Sequence, residues 1–390
     1  MQKVFLLTIG MFALGFDAYV IAGLLPDIGA TFHITPSQTG QAVSVFTLCY
    51  ALAAPVFATL LAGKPMRNIL LLALAVFSIG NGISALASNF SMLLIARAIA
   101  GIGAGLYSPL ASAAAASLVP EQKRGRALGM TLGGMSTGTV IGVPLGLVIA
   151  EHLKWNGTLW VITALGLIAM MGIAIWFPHF AASAPPSLRQ RVAMMTNGRV
   201  AAIVGITFMT SVASLGLYTY IAVILNNLAD ISNNTPYLWA WGIGGVVGSF
   251  SIGALIDRTG KPGLLMAGIL AIMALSMFSV PFALSFPILS FLPFILWGAM
   301  GWASQAPQQH ELLHIQPNQG AAAVALNSSA NYLGSAIGSI LGGIVMLAGL
   351  APSQLPFAAG GLALVTLLGQ WGILSSKRKH ESERKQSMQQ

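Results

Sequence analysis

The stretch VFLLTIGMFALGFDAYVIAGLLP, residues 4–26, decides how the chain is read. Its 23 residues carry a single charge, Asp17. At ~1.5 Å rise per residue, a helix of this length spans ~34 Å and crosses the hydrocarbon of a bilayer with some tilt. A carboxylate inside it costs on the order of 2.5–3.5 kcal/mol on insertion scales, so it faces a partner, a cavity or a protonation step. With Pro26 taken as the end of the span, Asp17 lies nine residues, ~13 Å, below the surface, too deep for a short side chain to reach water. Asp17 is therefore read as a functional group and not as a solvated helix end.

The rest of the chain repeats that first pattern. Apolar residues make up 56% of the sequence, charged residues only 7%, and mean hydropathy is +0.81. A soluble domain carries about 25% charged residues, so this composition belongs to a membrane protein of many helices. The only cysteine, Cys49, sits in an apolar run, which excludes a disulfide framework and a thiolate metal site. No small-residue cleavage site ends a short apolar core near the N-terminus, so the first run is a span and not a signal peptide.

Twelve spans are expected, near 4–26, 40–62, 69–87, 91–115, 126–150, 157–178, 200–225, 236–256, 263–284, 287–309, 320–348 and 354–375. If the N-terminus is inside, sixteen of the eighteen Lys and Arg residues fall in inner segments. Lys154 falls outside and Arg97 within a span. That bias predicts that both termini are cytoplasmic, and it explains the net charge of +9 without nucleic acid. The basic, proline-containing segment HFAASAPPSLRQRVAMMTNGR, 179–199, divides the chain. The domains expected are a six-helix bundle over 1–178, a cytoplasmic linker over 179–199, a second six-helix bundle over 200–376 and a basic tail over 377–390.

The halves echo each other at an offset of 196 residues. Gly138, Gly142 and Gly146 recur as Gly334, Gly338 and Gly342, and GALIDRTGKPGLL at 253–265 follows span eight as TLLAGKPMRNILL at 59–71 follows span two. Four-residue spacing puts each glycine trio on one helix face, where another backbone can approach closely. Parallel repeats around a central site are an architecture of secondary transporters.

The second embedded charge is Arg97, with Gly101 and Gly105 on its own face. A charged pair in lipid costs less than two lone charges, so Asp17 and Arg97 are read as electrostatically coupled. The lean of side chains toward the N-terminus of their own helix carries the two apart, but three residues of play in the span ends, ~4.5 Å, cover the difference, so a direct bond is the expectation. Arg97 has no counterpart in the second half, because the offset places it on Pro293; proton chemistry belongs to the first half.

RAIAGIGAG (97–105) and GTVIGVPLG (138–146) resemble the arginine motif and the antiporter glycine–proline motif of the major facilitator superfamily, the latter including Gly138, Gly142, Pro144 and Gly146. GALIDRTGK resembles its loop motif, with Asp257, Arg258 and Lys261. FALGFDAYVIAGLLPDI, SVFTLCYALAAPVFA and LYTYIAVIL are similar to the bacterial drug:H⁺ antiporter branch that includes arabinose-efflux-like and chloramphenicol-efflux-like proteins. In that branch the span-one acid is usually Glu, and here it is Asp17; the first loop has Ala62 or Gly63 where the motif has Asp, which weakens the inner latch on that side. The resemblance implies an inner-membrane exporter driven by proton influx, and leaves the cargo unnamed.

His310, Glu311 and His314 spell H-E-L-L-H, a pattern that holds zinc in proteases. A third ligand is missing: after His314 no Asp, Glu or His follows until His380, and Pro317 ends the helix. An intramembrane zinc metalloprotease, or an uncoupled solute facilitator, is therefore the alternative to a transporter with no enzymatic activity, no metal and no cofactor beyond the coupling proton. Cargo-contact candidates are Tyr50, Asn81, Tyr218, Trp297, Trp302, Asn327 and Asn331, polar or aromatic groups at suitable depth. Trp155, Trp239 and Trp371 suit the membrane interface instead. The expectation is an all-α integral membrane protein of twelve transmembrane helices, with Asp17 and Arg97 coupling protons to export of small amphiphiles such as drugs, sugars or metabolites, as a monomer in a bacterial inner membrane.

Overall fold

The computed structural model describes residues 2–57, 64–120, 123–178, 188–317 and 319–387. The described residues are helical throughout and contain no strand. The helices are α1 (Gln2–Phe32), α2 (Pro36–Thr39), α3 (Gln41–Phe57), α4 (Met66–Ala85), α5 (Phe90–Ser117), α6 (Arg124–Thr137), α7 (Val143–Trp176), α8 (Leu188–Ala193), α9 (Gly198–Thr219), α10 (Ile221–Ala229), α11 (Thr235–Thr259), α12 (Pro262–Ala283), α13 (Leu292–Ala303), α14 (Gln305–Ile315), α15 (Gly320–Leu347) and α16 (Leu355–Ser387). Among the described residues nine stretches are long and apolar enough to cross a membrane. Twelve crossings result because the stretch Arg126–Trp176 holds two, α3 supplies one, and α13 with α14 supplies one. Phe250, Leu275, Ile288 and Leu368 stand exposed on the outer surface, as lipid-facing side chains do.

The sequence signals that begin and end these helices are local. Asn89 caps α5 by accepting a hydrogen bond from the Met92 amide at 2.9 Å, and Asn197 caps α9 through the Arg199 and Val200 amides. Gly260 ends α11 at φ 60°, a left-handed turn that glycine adopts without strain. α1 departs from expectation: Pro26 lies inside it and the helix runs on to Phe32, which places Asp17 at its midpoint. Membrane helices tolerate such a proline because neighbours re-satisfy the carbonyl it leaves. Span five runs from α6 through one π-helical turn at Gly138–Gly142 into α7, and α7 turns into span six at Lys154, where φ is 59°. Span seven breaks at Tyr220 between α9 and α10, and span ten breaks at Ser304 between α13 and α14. Residues 179–187 of the expected linker, and Ala62 and Gly63, lie outside the described residues.

Two groups of helices form. In one, α1 packs on α6 and α7, α4 on α5 and α7, and α3 on α5; in the other, α9 packs on α15 and α16, α11 on α13, and α12 on α13 and α16. The glycine trios repeat the same relation in each. A Cβ on Gly138 would overlap the Phe12 carbonyl of α1, and one on Gly334 would overlap the Phe208 carbonyl of α9. The first helix of each group is thus approached by backbone-close packing from its fifth, as the 196-residue echo requires. The groups meet mainly where α3 crosses α15, with α1 against α9 and α10. Trp155 is not an interfacial anchor: it is 2% exposed and its indole N–H donates to Thr31 Oγ1 at 2.9 Å, because the extended end of α1 gives it a partner.

Candidate functional site

Asp17 and Arg97 are in direct contact. Arg97 Nη1 donates to Asp17 Oδ1 at 2.6 Å, and the side chains are 1% and 0% exposed. The long arginine stem closes the gap that the opposite leans of the two Cβ atoms leave open. Asn81 Nδ2 donates to Asp17 Oδ2 at 3.0 Å, and Arg97 Nη1 also donates to Asn81 Oδ1 at 3.2 Å. The guanidinium lies 4.2 Å from the centre of the Phe46 ring, a cation–π contact. Asn81 thus belongs to this buried triad and not to a cargo wall. It is the only ion pair among the described residues. An ion pair this dry survives because both carboxylate oxygens accept charge-assisted or amide hydrogen bonds.

Asp17 and Tyr19 are two positions apart on α1, ~200° around the helix axis. Asp17 faces the first bundle; Tyr19 faces the second. Its ring centre lies 5.5 Å from Tyr218, 5.7 Å from Trp241 and 6.0 Å from Trp302. These rings roof a cavity of about 390 Å³ between the bundles. It is lined from one side by Tyr19, Leu132, Met135 and Ser136, and from the other by residues of α9, α11, α13, α14 and α15. Leu132–Ser136 and Gln309 place it toward the end of the molecule that holds the helix starts Gln2, Arg124, Gly198 and Gly320.

The opposite end is closed. Ser37 Oγ donates to the Gly343 carbonyl at 2.8 Å, Ser44 Oγ to Ser339 Oγ at 2.8 Å, Ser339 Oγ to the Gly40 carbonyl at 3.1 Å, and Asn234 Nδ2 to the Gly23 carbonyl at 3.1 Å. Each bond joins one bundle to the other. Tyr220 braces this seal by donating to the Ser339 carbonyl at 2.7 Å.

The remaining candidates divide. Trp302 and Asn331 line the cavity; Asn331 Oδ1 accepts from Gln305 Nε2 at 2.9 Å and from Ser211. Tyr218 and Trp297 stand behind the lining: Tyr218 is 4.3 Å ring to ring from Trp241, and Trp297 donates to Ser214 Oγ at 2.8 Å. Tyr50 stacks on Tyr332 at 4.0 Å, and Tyr332 itself lines the cavity. Asn327 does not reach it; it is fully buried in the second bundle and neither side-chain polar atom has a partner among the described residues. Pro144 starts α7 just past the π turn. Asp257, Arg258 and Lys261 are exposed and take part in no ion pair among the described residues. His310 and His314 are exposed on α14, and no metal-binding cluster occurs among the described residues. Sequence reading missed Trp241, Tyr19, Gln305 and the serines of the seal, because single aromatics and hydroxyls in apolar helices carry no spacing signal. It also passed over Arg191, which is 4% exposed and fastens α8 to α15 by donating to Ser329 Oγ at 2.7 Å; burial lowers its pKa from the ordinary arginine value.

The sequence profile described as Major Facilitator Superfamily matches residues 7–339. An uncharacterized MFS-type transporter, YbcL of Bacillus subtilis, is 32% identical over 345 residues, which cover 88% of each chain. A probable sugar efflux transporter of Helicobacter pylori is 25% identical, covering 94% of each chain. The crystal structure of a D-xylose–proton symporter superposes with a TM-score of 0.75 at 18% identity, covering 94% of this chain and 96% of that one.

Proposed function

This chain belongs to the major facilitator superfamily, is a multi-pass membrane transporter with efflux-type relatives and not an enzyme, and we propose that it is a proton-coupled exporter working by alternating access. The observation that carries this reading is the Asp17–Asn81–Arg97 triad: a titratable ion pair, fully buried, on the face of α1 opposite the ring that roofs the cavity. The antiporter-type glycine–proline stretch at 138–146 packs on that same α1, through Gly138 and Phe12.

With both termini in the cytoplasm of a bacterial inner membrane, as the basic inner segments support, the cavity faces inward and the serine seal faces outward. The paired state is then the one that has given up its proton and is ready for cargo. Cargo enters from the cytoplasm; the bundles rock against each other, the seal between α3 and α15 parts, and cargo leaves. A proton arriving from outside converts the Asp17 carboxylate to a carboxylic acid, which accepts from Arg97 far less strongly. α1 relaxes, Tyr19 shifts with it, and the empty carrier returns inward. Release of the proton to the cytoplasm restores the pair. Cargo never needs to touch the carboxylate, because α1 carries both.

Reconstitution into liposomes holding a pH-sensitive dye tests this. Added cargo should discharge a preformed ΔpH in wild-type vesicles and not in empty ones. Cargo equilibration with no proton movement would leave an uncoupled facilitator.

A further inference from the structure

We propose that the central cavity takes an uncharged cargo, which presents a flat ring to the aromatic wall and a hydrogen-bonding end to the amide and hydroxyl wall. This rests on the transporter reading above. None of the described residues lining the cavity carries a formal charge at neutral pH. Asp17 is not available to a cation: both of its oxygens accept from neighbours in the first bundle, and it is fully buried. Glu311 lies two residues past Gln309 on α14 and does not line the cavity. A charged cargo would enter with no counter-charge, and an ion taken from water into such a site is held poorly.

The two walls differ in chemistry. Tyr19, Trp241 and Trp302 form a mutually packed group, with Trp241 and Trp302 at 6.2 Å and near-perpendicular. Edge-to-face aromatics of this kind accept a further ring by stacking. The Trp241 Nε1–H is buried and has no partner among the described residues. Across the cavity, Gln305, Asn331 and Ser211 form a bonded amide–hydroxyl cluster that matches a hydroxyl- or amide-bearing end. The volume of about 390 Å³ falls in the range of small-molecule sites.

Four nitroaromatic probes test this by quenching tryptophan fluorescence of the purified full-length chain, with no ΔpH present. Chloramphenicol and p-nitrophenyl β-D-glucoside are uncharged. p-Nitrophenyl β-D-glucuronide replaces one hydroxymethyl of the glucoside by a carboxylate, and 4-nitrobenzyltrimethylammonium is a cation. Saturable quenching is expected from at least one uncharged probe, with both ions bound at least ~tenfold more weakly. Trp302→Ala should weaken the uncharged probe at least ~tenfold, and Trp302→Phe, which keeps a ring, by less than ~threefold. The inference is overturned if either ion binds within threefold of the better uncharged probe, if no uncharged probe quenches saturably, or if Trp302→Ala leaves affinity unchanged. Should Trp302→Ala not elute as a monodisperse protein, the charge comparison on the wild type decides alone. The two readings fail separately: an ion that binds and discharges ΔpH sinks the cargo class and keeps the coupled exporter, and an uncharged probe that binds and moves with no proton does the reverse.

Discussion

Asp17→Asn isolates the coupling step with the least disturbance of shape. Asparagine keeps an oxygen that can accept from Arg97 and loses only the charge and the titration. The structure sets the size of the effect on stability. Arg97 is 1% exposed and, once Asp17 is neutral, keeps Asn81 Oδ1 at 3.2 Å and the Phe46 ring at 4.2 Å, with no counter-charge. Removing one partner of a buried pair costs about 3–5 kcal/mol. The retained amide acceptor and the cation–π contact, worth about 0.5–2 kcal/mol, bring the expected loss down to about 2–3 kcal/mol. A second replacement, Arg97→Gln, removes the stranded charge, so the double variant should be more stable than Asp17→Asn alone. On function, one pH unit across the membrane is worth about 1.4 kcal/mol per proton, or about tenfold accumulation of cargo. Wild-type protein in liposomes should approach that ratio with ΔpH as the only driving force; Asp17→Asn should stay at unity. Exchange of labelled for unlabelled cargo at equal concentrations needs only the conformational change, and should survive. If Asp17→Asn still concentrates cargo under ΔpH alone, Asp17 is not the coupling site and the assignment of roles to α1 is wrong.

Ser44→Ala with Ser339→Ala removes two cross-bundle bonds of the seal, worth about 0.5–1.5 kcal/mol each, and should shift the carrier toward the outward-open form. Alkylation of a cysteine placed at Ser37, which is 6% exposed while the seal is closed, compared with and without the two alanines from outside intact cells, reads the shift; an unchanged rate counts against the seal. Gly338→Val drives a side chain into the Val212 carbonyl and should destabilise the protein by about 1–3 kcal/mol, read as a lowered thermal midpoint. Gly361→Ala, with nothing near its Cβ position, is the control that should leave the midpoint in place. Asn327→Leu replaces a buried amide that has no partner among the described residues by a side chain of similar size, and should raise the midpoint; a fall of several degrees would mean the amide is satisfied in the membrane.

Much of the fold follows from features visible along the chain. The apolar runs, the basic inner segments and the glycine echo at 196 residues each depend on local composition or helical period, which sequence displays directly. The Asp17–Arg97 pair was legible for the same reason: two charges in hydrocarbon have few places to go. Asn81 was assigned to the cargo because an amide in a span has two common uses, and only packing shows which one applies. The end of α1 was placed at Pro26 because proline stops soluble helices, a rule that weakens inside a bundle of neighbouring helices. The breaks at Tyr220 and Ser304 left no proline or glycine mark at the breaking residue, and the seal is built from serines and backbone carbonyls that look like any other span.

That seal contains hydroxyls, an amide and carbonyls, and no fixed charge. When it parts, water must solvate neutral groups only, and no buried ion has to regain a hydration shell. Ionic strength on that side of the membrane therefore has little handle on the seal bonds themselves, since dissolved salt screens charges and leaves neutral hydrogen bonds nearly untouched. Salt sensitivity of that step then falls to Asp27, Glu151 and Lys154, which line the groove beside the Asn234–Gly23 bond.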